Sequence, residues 1–311
     1  MSDAEAAGPV AAPGESSRAS LREGAAYQAY RLVAWLSRSL PPRAGAALFG
    51  LLGRAGHALM PGLRATVAAN QAQVLGLPPE HPTVRASTRE AFRTYARYWH
   101  ETFRISLLPV EEFLARTDIV GYEHVEAALE QGRGVICVLP HLGNWDVGGR
   151  YMTERGLRVV SVAEELRPER LFRLFVEHRE ALGLEILGLS RDAQVGRRLA
   201  SALAENRMVA LVADRDLTGR GVEVPMFGRP RRLPAGPALL SLTTGAPILV
   251  SPVYQIPGGW RIVFSAPLEI DATGERRRDV AALTHRMGEA FERAISAAPA
   301  DWHLFQPAWE P

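Results

Sequence analysis

A histidine and an aspartate stand five positions apart in residues 135–146, VICVLPHLGNWD. An imidazole held by a carboxylate can take a proton from a hydroxyl, because the carboxylate fixes one tautomer and leaves the other ring nitrogen as the base. On one continuous helix, residues five apart diverge by about 140°, so His141 must lie in a loop to meet Asp146. The neighbouring residues provide that loop. Residues 135–139 form an apolar run of strand length, Pro140 ends it, Gly143 lets the chain bend and Asn144 suits a helix N-cap. Asp146 then falls in the first helical turn, where the helix dipole favours a carboxylate. The pattern reads as a buried strand delivering His141 to its carboxyl end, with Asp146 orienting the ring. A loop histidine beside an unrelated helix-start aspartate is the plainer alternative, and the commoner outcome for such a pair taken alone.

A second apolar run, MVALVA at 208–213, also stops at charged groups: Asp214, Arg215 and Asp216, with Glu223 following in GVEV. On their own these carboxylates read equally well as a structural ion network; on the same rim as His141 they become candidate site groups. A third turn, VAEELRPE, presents Glu164, Glu165 and Arg167, with Arg179 on the helix beyond. One or two of these are expected to reach substrate, although any single one reads also as a surface pair of about 0–1 kcal/mol. Arg229, Arg231 and Arg232 precede a helix that starts near Ala235. Guanidinium groups and a helix N-terminus both suit phosphate oxygens; a solvated basic turn is the alternative.

The elements that must position these groups are legible as periodicity. Strands are expected near 117–120, 134–139, 157–162, 184–187, 208–213, 247–254 and 260–265, and helices near 122–131, 144–154, 168–182, 192–206, 235–245 and 276–297. Short apolar strands separated by amphipathic helices predict an α/β fold with a central, largely parallel mixed sheet flanked by helices. In such sheets chemistry sits outside the carboxyl ends of the strands, which places His141 and the turns after 162 and 213 on one rim. Residues 24–76 read as helices broken at Pro41, Pro42 and Pro61, and 82–108 as one more, carrying an aromatic cluster of Tyr95, Tyr98, Trp99 and Phe103 expected in the core. This N-terminal layer either covers the sheet or beds into lipid headgroups through Trp35, Phe49, Leu51 and Leu52, with arginines 31, 38, 43, 54 and 64 toward anionic lipid. Residues 1–22 are small and polar and are expected to be disordered. The rest, 23–311, is expected to form a single domain, helical over 24–108 and α/β over 117–300.

Composition narrows the chemistry. Every one of the 36 basic residues is arginine, which excludes lysine Schiff bases and the lysine-dependent phosphate loop. The single cysteine, Cys137, lies inside an apolar run and reads as structural. No serine elbow, glycine-rich dinucleotide loop or zinc-spaced histidine pair is present, so neither metal nor cofactor is expected. A net charge of +2 gives no reason to expect nucleic acid. A histidine base without a protein nucleophile suits direct attack by a substrate hydroxyl on an activated acyl group.

The segments PHLGNWDVGG, VAEELRPERLFRLFVEHRE, ADRDLTGRGVEVPMFGRP and LPAGPALLSLTTGAPILV, in this order, resemble the lipid A biosynthesis acyltransferase branch of the glycerolipid acyltransferase superfamily over about 25–305. The VAEELRPE and DRDLTGRGVEV segments and the DWHLFQPAW ending resemble its actinobacterial phosphatidylinositol mannoside acyltransferases. The resemblance implies transfer of a fatty acyl chain, typically palmitoyl, from acyl-CoA, which is a substrate here, to a mannose 6-hydroxyl of a phosphatidylinositol mannoside. It implies work at the cytoplasmic face of the inner membrane, with peripheral contact to anionic lipid and a monomer as the default. His141 matches the family's base and Asp146 its partner. A further acidic residue is implied near the histidine, with Asp214 the first candidate, then Asp216 and Glu223; Arg179 is the candidate arginine beside the donor pocket. Acylation of a Kdo2-lipid A type acceptor, and a non-catalytic lipid-binding protein on the same scaffold, are the alternatives.

Overall fold

The computed structural model describes residues 13–189 and 194–309, with side chains from residue 23 onward. The chain opens with four helices, α1 (Pro13–Ser39), α2 (Pro42–Leu59), α3 (Pro61–Leu75) and α4 (Pro82–Thr102). The prolines that break the pattern are helix starts: Pro42, Pro61 and Pro82 occupy the first turn, where the missing N–H costs nothing. Helix α1 begins at Pro13, inside the stretch 1–22 expected to be disordered; residues 1–12 lie outside the described residues. The helix expected over 82–108 ends at Thr102. A 3₁₀ turn at Ile105–Leu107 and a short α5 (Val110–Ala115) follow, because Pro109 keeps Leu108 extended.

The α/β part then runs β1 (Thr117–Val120), α6 (Tyr122–Glu130), β2 (Val135–Leu139), α7 (Trp145–Glu154), β3 (Val159–Glu164), α8 (Glu169–Glu180), β4 (Glu185–Leu189), α9 (Gln194–Ala204) and β5 (Met208–Val212). After it come β6 (Val222–Met226), β7 (Arg229–Leu233), α10 (Gly236–Thr244), β8 (Ile248–Val250), β9 (Val253–Ile256), β10 (Gly259–Val263) and α11 (Arg276–Ala297). Strands β4-β3-β5-β2-β8 form an all-parallel sheet flanked by helices, which is the α/β class the periodicity predicted. Strand β2 is buried along its whole length, as a central parallel strand covered on both faces must be.

Three features depart from the expected order. The strand expected over 247–254 is two strands. Ser251 N–H makes the last rung, to Val138 O, and Pro252 has no N–H to continue the ladder. Strand β9 therefore leaves the central sheet and joins β10 and β1 in a separate three-stranded sheet, order β1-β10-β9. Finally, 222–233 forms a hairpin where no strands were expected. Its two-residue turn, Phe227–Gly228, has positive φ at both positions (52° and 74°), the twist that suits an antiparallel ribbon. The main-chain groups of Phe227 are held by Gln73 and Glu292. Pro225 faces Pro230 across the ribbon. That pair follows the hydrogen-bonded pair at the turn, so no ladder bond is lost there.

Candidate active site

Strands β2 and β5 are parallel neighbours, paired Leu139 to Val212, and Ala213 N–H donates to Leu139 O at 2.9 Å. Two residues beyond each strand end stand His141 and Asp214. The register of the sheet alone brings these side chains together across 73 positions of sequence. His141 Nδ1 lies 2.5 Å from Asp214 Oδ1. His141 is 24% exposed and Asp214 is fully buried. In the neutral ring Nδ1–H donates to the carboxylate, so the other nitrogen is the acceptor. Burial pushes the Asp214 carboxyl up, but His141, Arg231 and the Trp302 indole outweigh it and hold the group well below the usual carboxylate range.

The loop that carries His141 is tightly built. Gly143 has φ +61°, and a Cβ there would come within 1.7 Å of Val253 O. Residues near the C-terminus hold this loop. Gly143 N–H donates to Asp301 O at 2.9 Å, His303 N–H donates to His141 O at 2.7 Å, and Leu142 bridges Trp302. Trp145 sets its ring edge-on to His141, with centroids 5.3 Å apart, and packs on Tyr98 on its other side. Of the aromatic cluster at the end of α4, Tyr98 and Phe103 are buried and Tyr95 and Trp99 half-buried, and Trp99 and Phe103 pack on Phe175 of α8. Burial and the neighbouring His141 lower the His303 imidazole to about 3, so it stays neutral.

Asp146 does not orient His141. It lies one residue into α7 and points to α8, where Arg179 Nε donates to its Oδ1 at 2.8 Å. The carboxylate against the histidine comes from the neighbouring strand, and the two acidic groups belong to different layers. Arg179 thus makes a largely buried ion pair with Asp146. The other acidic candidates are also spoken for. Asp216 accepts from the N–H and hydroxyl of Thr218 and from Gly221 N–H, closing its own turn. Glu223 is exposed and faces Arg232 at 3.5 Å. Glu164 ends β3 and Arg167 follows it, both exposed on the rim but away from any described contact with the histidine.

Alternation along β7 puts Arg232 on the opposite face from Arg229 and Arg231, and of the three only Arg231 is buried. Arg229 and Arg232 are exposed. Arg231 turns inward, donates twice to the Asp214 main-chain carbonyl (2.6 and 3.2 Å), and lies against the rings of both Trp302 and Trp309. Trp302 Nε1–H donates to Asp214 Oδ2 at 2.8 Å. Trp302 is the site residue that sequence reasoning missed, and Arg231, read there as a phosphate-binding group, instead holds the Asp214 main chain. The available signal was Trp302 in the DWHLFQPAW ending, but nothing in the sequence says which strand end that segment meets.

Beneath α7, Leu139, Met152, Val253, Ile262 and Phe264 line a narrow apolar cleft together with Trp145, whose ring also meets His141. Cys137 is on its wall, and burial raises the thiol to about 12, which removes it as a nucleophile. Among the described residues, no group of three or more His, Cys, Asp or Glu could hold a metal ion.

Asp301 has a measurable signature. It is buried, its Oδ2 accepts from Gln255 N–H at 3.0 Å, and burial raises its carboxyl from 3.8 to about 6. Between these values the folded chain holds a proton the unfolded chain has released, so stability falls as pH rises through that window. Asparagine copies the protonated acid. Asp301→Asn is expected to be more stable than the parent at pH 8 by on the order of 3 kcal/mol, with the gap closing by pH 4. Urea unfolding at the two pH values checks this, and an equal gap at both would refute it.

A model of the bacterial lipid A biosynthesis acyltransferases matches residues 14–310. The chain is 41% identical over 246 residues to a phosphatidylinositol mannoside acyltransferase of Mycobacterium tuberculosis strain H37Rv, covering 77% of this chain and 75% of that one. It is 36% identical over 278 residues to the protein of the same name from Mycolicibacterium smegmatis, covering 88% of each.

Proposed function

The chain belongs to the bacterial lipid A biosynthesis acyltransferase family, and we propose that it moves a fatty acyl chain from acyl-CoA to a mannose 6-hydroxyl of a phosphatidylinositol mannoside. The family and the names of its relatives support the acyl transfer and the acceptor class. The observation that carries the mechanism is the His141–Asp214 pair at the end of β2. In this reading His141 Nε2 takes the hydroxyl proton as the sugar oxygen attacks the thioester carbonyl. Asp214 stabilises the imidazolium that forms. The tetrahedral intermediate collapses, the carbon–sulfur bond breaks, and the CoA thiolate leaves and recovers the proton. No acyl-enzyme is required, in keeping with the absence of a serine elbow and the raised Cys137 thiol. The apolar cleft beside Trp145 is suited to the first carbons of the acyl chain.

The test is CoA thiol release from palmitoyl-CoA with mass analysis of the product lipid. Release that depends on a phosphatidylinositol mannoside, with a palmitoyl ester on mannose, is the expected result. Release that depends instead on Kdo2-lipid A precursors would favour the acceptor in the family's description, and no acceptor-dependent release with either would reject the reading.

The proposed place of work is the cytoplasmic face of the inner membrane, where CoA thioesters are available. No helix among the described residues is long and apolar enough to cross a membrane. Peripheral contact is supported by the exposed apolar side chains of α2. Its buried face is Gly45, Phe49 and Gly53, and the glycines let α2 approach α4 closely, while Leu51, Leu52 and Leu59 are exposed. Trp35 and Leu32 of α1 are exposed as well. Phe49 is not part of this surface; it packs on His100. Arg31, Arg38, Arg43 and Arg54 remain exposed, but Arg64 donates to the end of α2 at His57 O. Changing Leu51, Leu52 and Leu59 to serine is expected to weaken binding to phosphatidylglycerol vesicles about 100-fold, at about 1 kcal/mol for each partly buried leucine. Unchanged co-sedimentation would reject the surface.

A further inference from the structure

We infer that Trp302 is a positioning residue for the His141–Asp214 pair, acting through Asp214; the inference rests on the proposed role of that pair. A carboxylate on a single partner can rotate about its last bond. Asp214 has both oxygens engaged: Oδ1 meets His141 and Oδ2 accepts the Trp302 indole N–H at 2.8 Å. Rotation would break both bonds at once, and a hydrogen bond to a buried charge is among the stronger ones. Arg231 fixes the same residue from behind by holding its main-chain carbonyl.

Trp302 is itself immobilised. It is 1% exposed, and its ring lies against Arg231 and edge-on to Trp309. The residues on either side hold the other half of the pair. Asp301 O receives Gly143 N–H, His303 N–H reaches His141 O, and Trp302 bridges Leu142. One three-residue segment after α11 thus registers the histidine loop through its main chain and the carboxylate through an indole. The isolated bridge between Leu142 and Trp302 belongs to none of the three sheets. Its consequence is to set the distance between two groups delivered by different strands.

Because Trp302 is buried, its loss should act on kcat and leave the KM for acyl-CoA within about twofold. Trp302→Phe is expected to lower kcat about 10- to 100-fold, the equivalent of one hydrogen bond to a charged group. In an Asp214→Asn background the same change should cost less than about twofold, since the tryptophan acts through that carboxylate. A merely structural role would give the same loss in both backgrounds. If the phenylalanine variant does not fold, replacing Trp302 with its benzothienyl isostere removes only the N–H and gives the same readout. A kcat within twofold of the parent for the folded variant, or equal losses in both backgrounds, overturns the proposal. His141→Ala measured alongside separates the two levels. If it is inactive while the Trp302 variant has normal kcat, only the positioning role fails; if it turns over normally, the pair has no role and Trp302 falls with it.

Discussion

His141→Ala is expected to lower turnover about 10²- to 10⁴-fold, the usual contribution of a positioned general base, while the chain still folds, with a loss of stability because Asp214 Oδ1 gives up its partner and only Trp302 Nε1–H remains on the carboxylate. The ring is 24% exposed and its bond is to one side chain, so little core packing is lost. Asp214→Asn should cost a comparable factor for a different reason. An amide can offer an N–H to Nδ1, which favours the tautomer whose proton sits on the nitrogen that must act as base. Both effects are read as acceptor-dependent CoA release under saturating donor. A His141→Ala variant within about tenfold of the parent would reject the mechanism, whatever the acceptor proves to be.

Arg179→Ala is the second large effect, and it falls on stability. Asp146 is 2% exposed, its Oδ1 is bonded to Arg179, and its Oδ2 is buried without a partner. Removing the guanidinium leaves a buried carboxylate uncompensated, which typically costs about 3–5 kcal/mol. Asp146→Asn should be destabilising too, because it strands the arginine. The double change Asp146→Asn with Arg179→Ala removes both charges and is expected to cost clearly less than the sum of the two single losses, by the same asymmetry between breaking a buried pair and replacing it. Denaturant unfolding of the four proteins checks this. Additive losses in the double variant would show that the two residues do not act as a pair.

Local pattern was enough for much of this molecule. The apolar run at 135–139 and Pro140 define β2 and its end, and the alternation from 117 onward defines a parallel sheet with its chemistry at one rim. The prolines at 42, 61 and 82 mark helix starts. Reading the hairpin of β6 and β7 failed because Pro225 and Pro230 argue against strands wherever the ladder needs their N–H; only the pairing shows that they face each other where it does not. Phe49 was misplaced because α2 is apolar on more than one side, and only packing on His100 chooses its inner face.

Sequence by itself determined which residues were available for chemistry: one histidine at a strand end, a short choice of carboxylates, no lysine and one buried thiol. Tertiary structure decided which carboxylate meets the imidazole. Nearness along the chain favoured Asp146, five residues away, but that side chain turns to Arg179, and strand adjacency between β2 and β5 brings Asp214 instead. The same holds for Trp302, carried to Asp214 by a segment at the far end of the chain. The physical reason is that helix and strand periods are local quantities, read within a few residues. Which strand lies beside which depends on burying the whole set of apolar faces at once, and no short stretch of sequence carries that information.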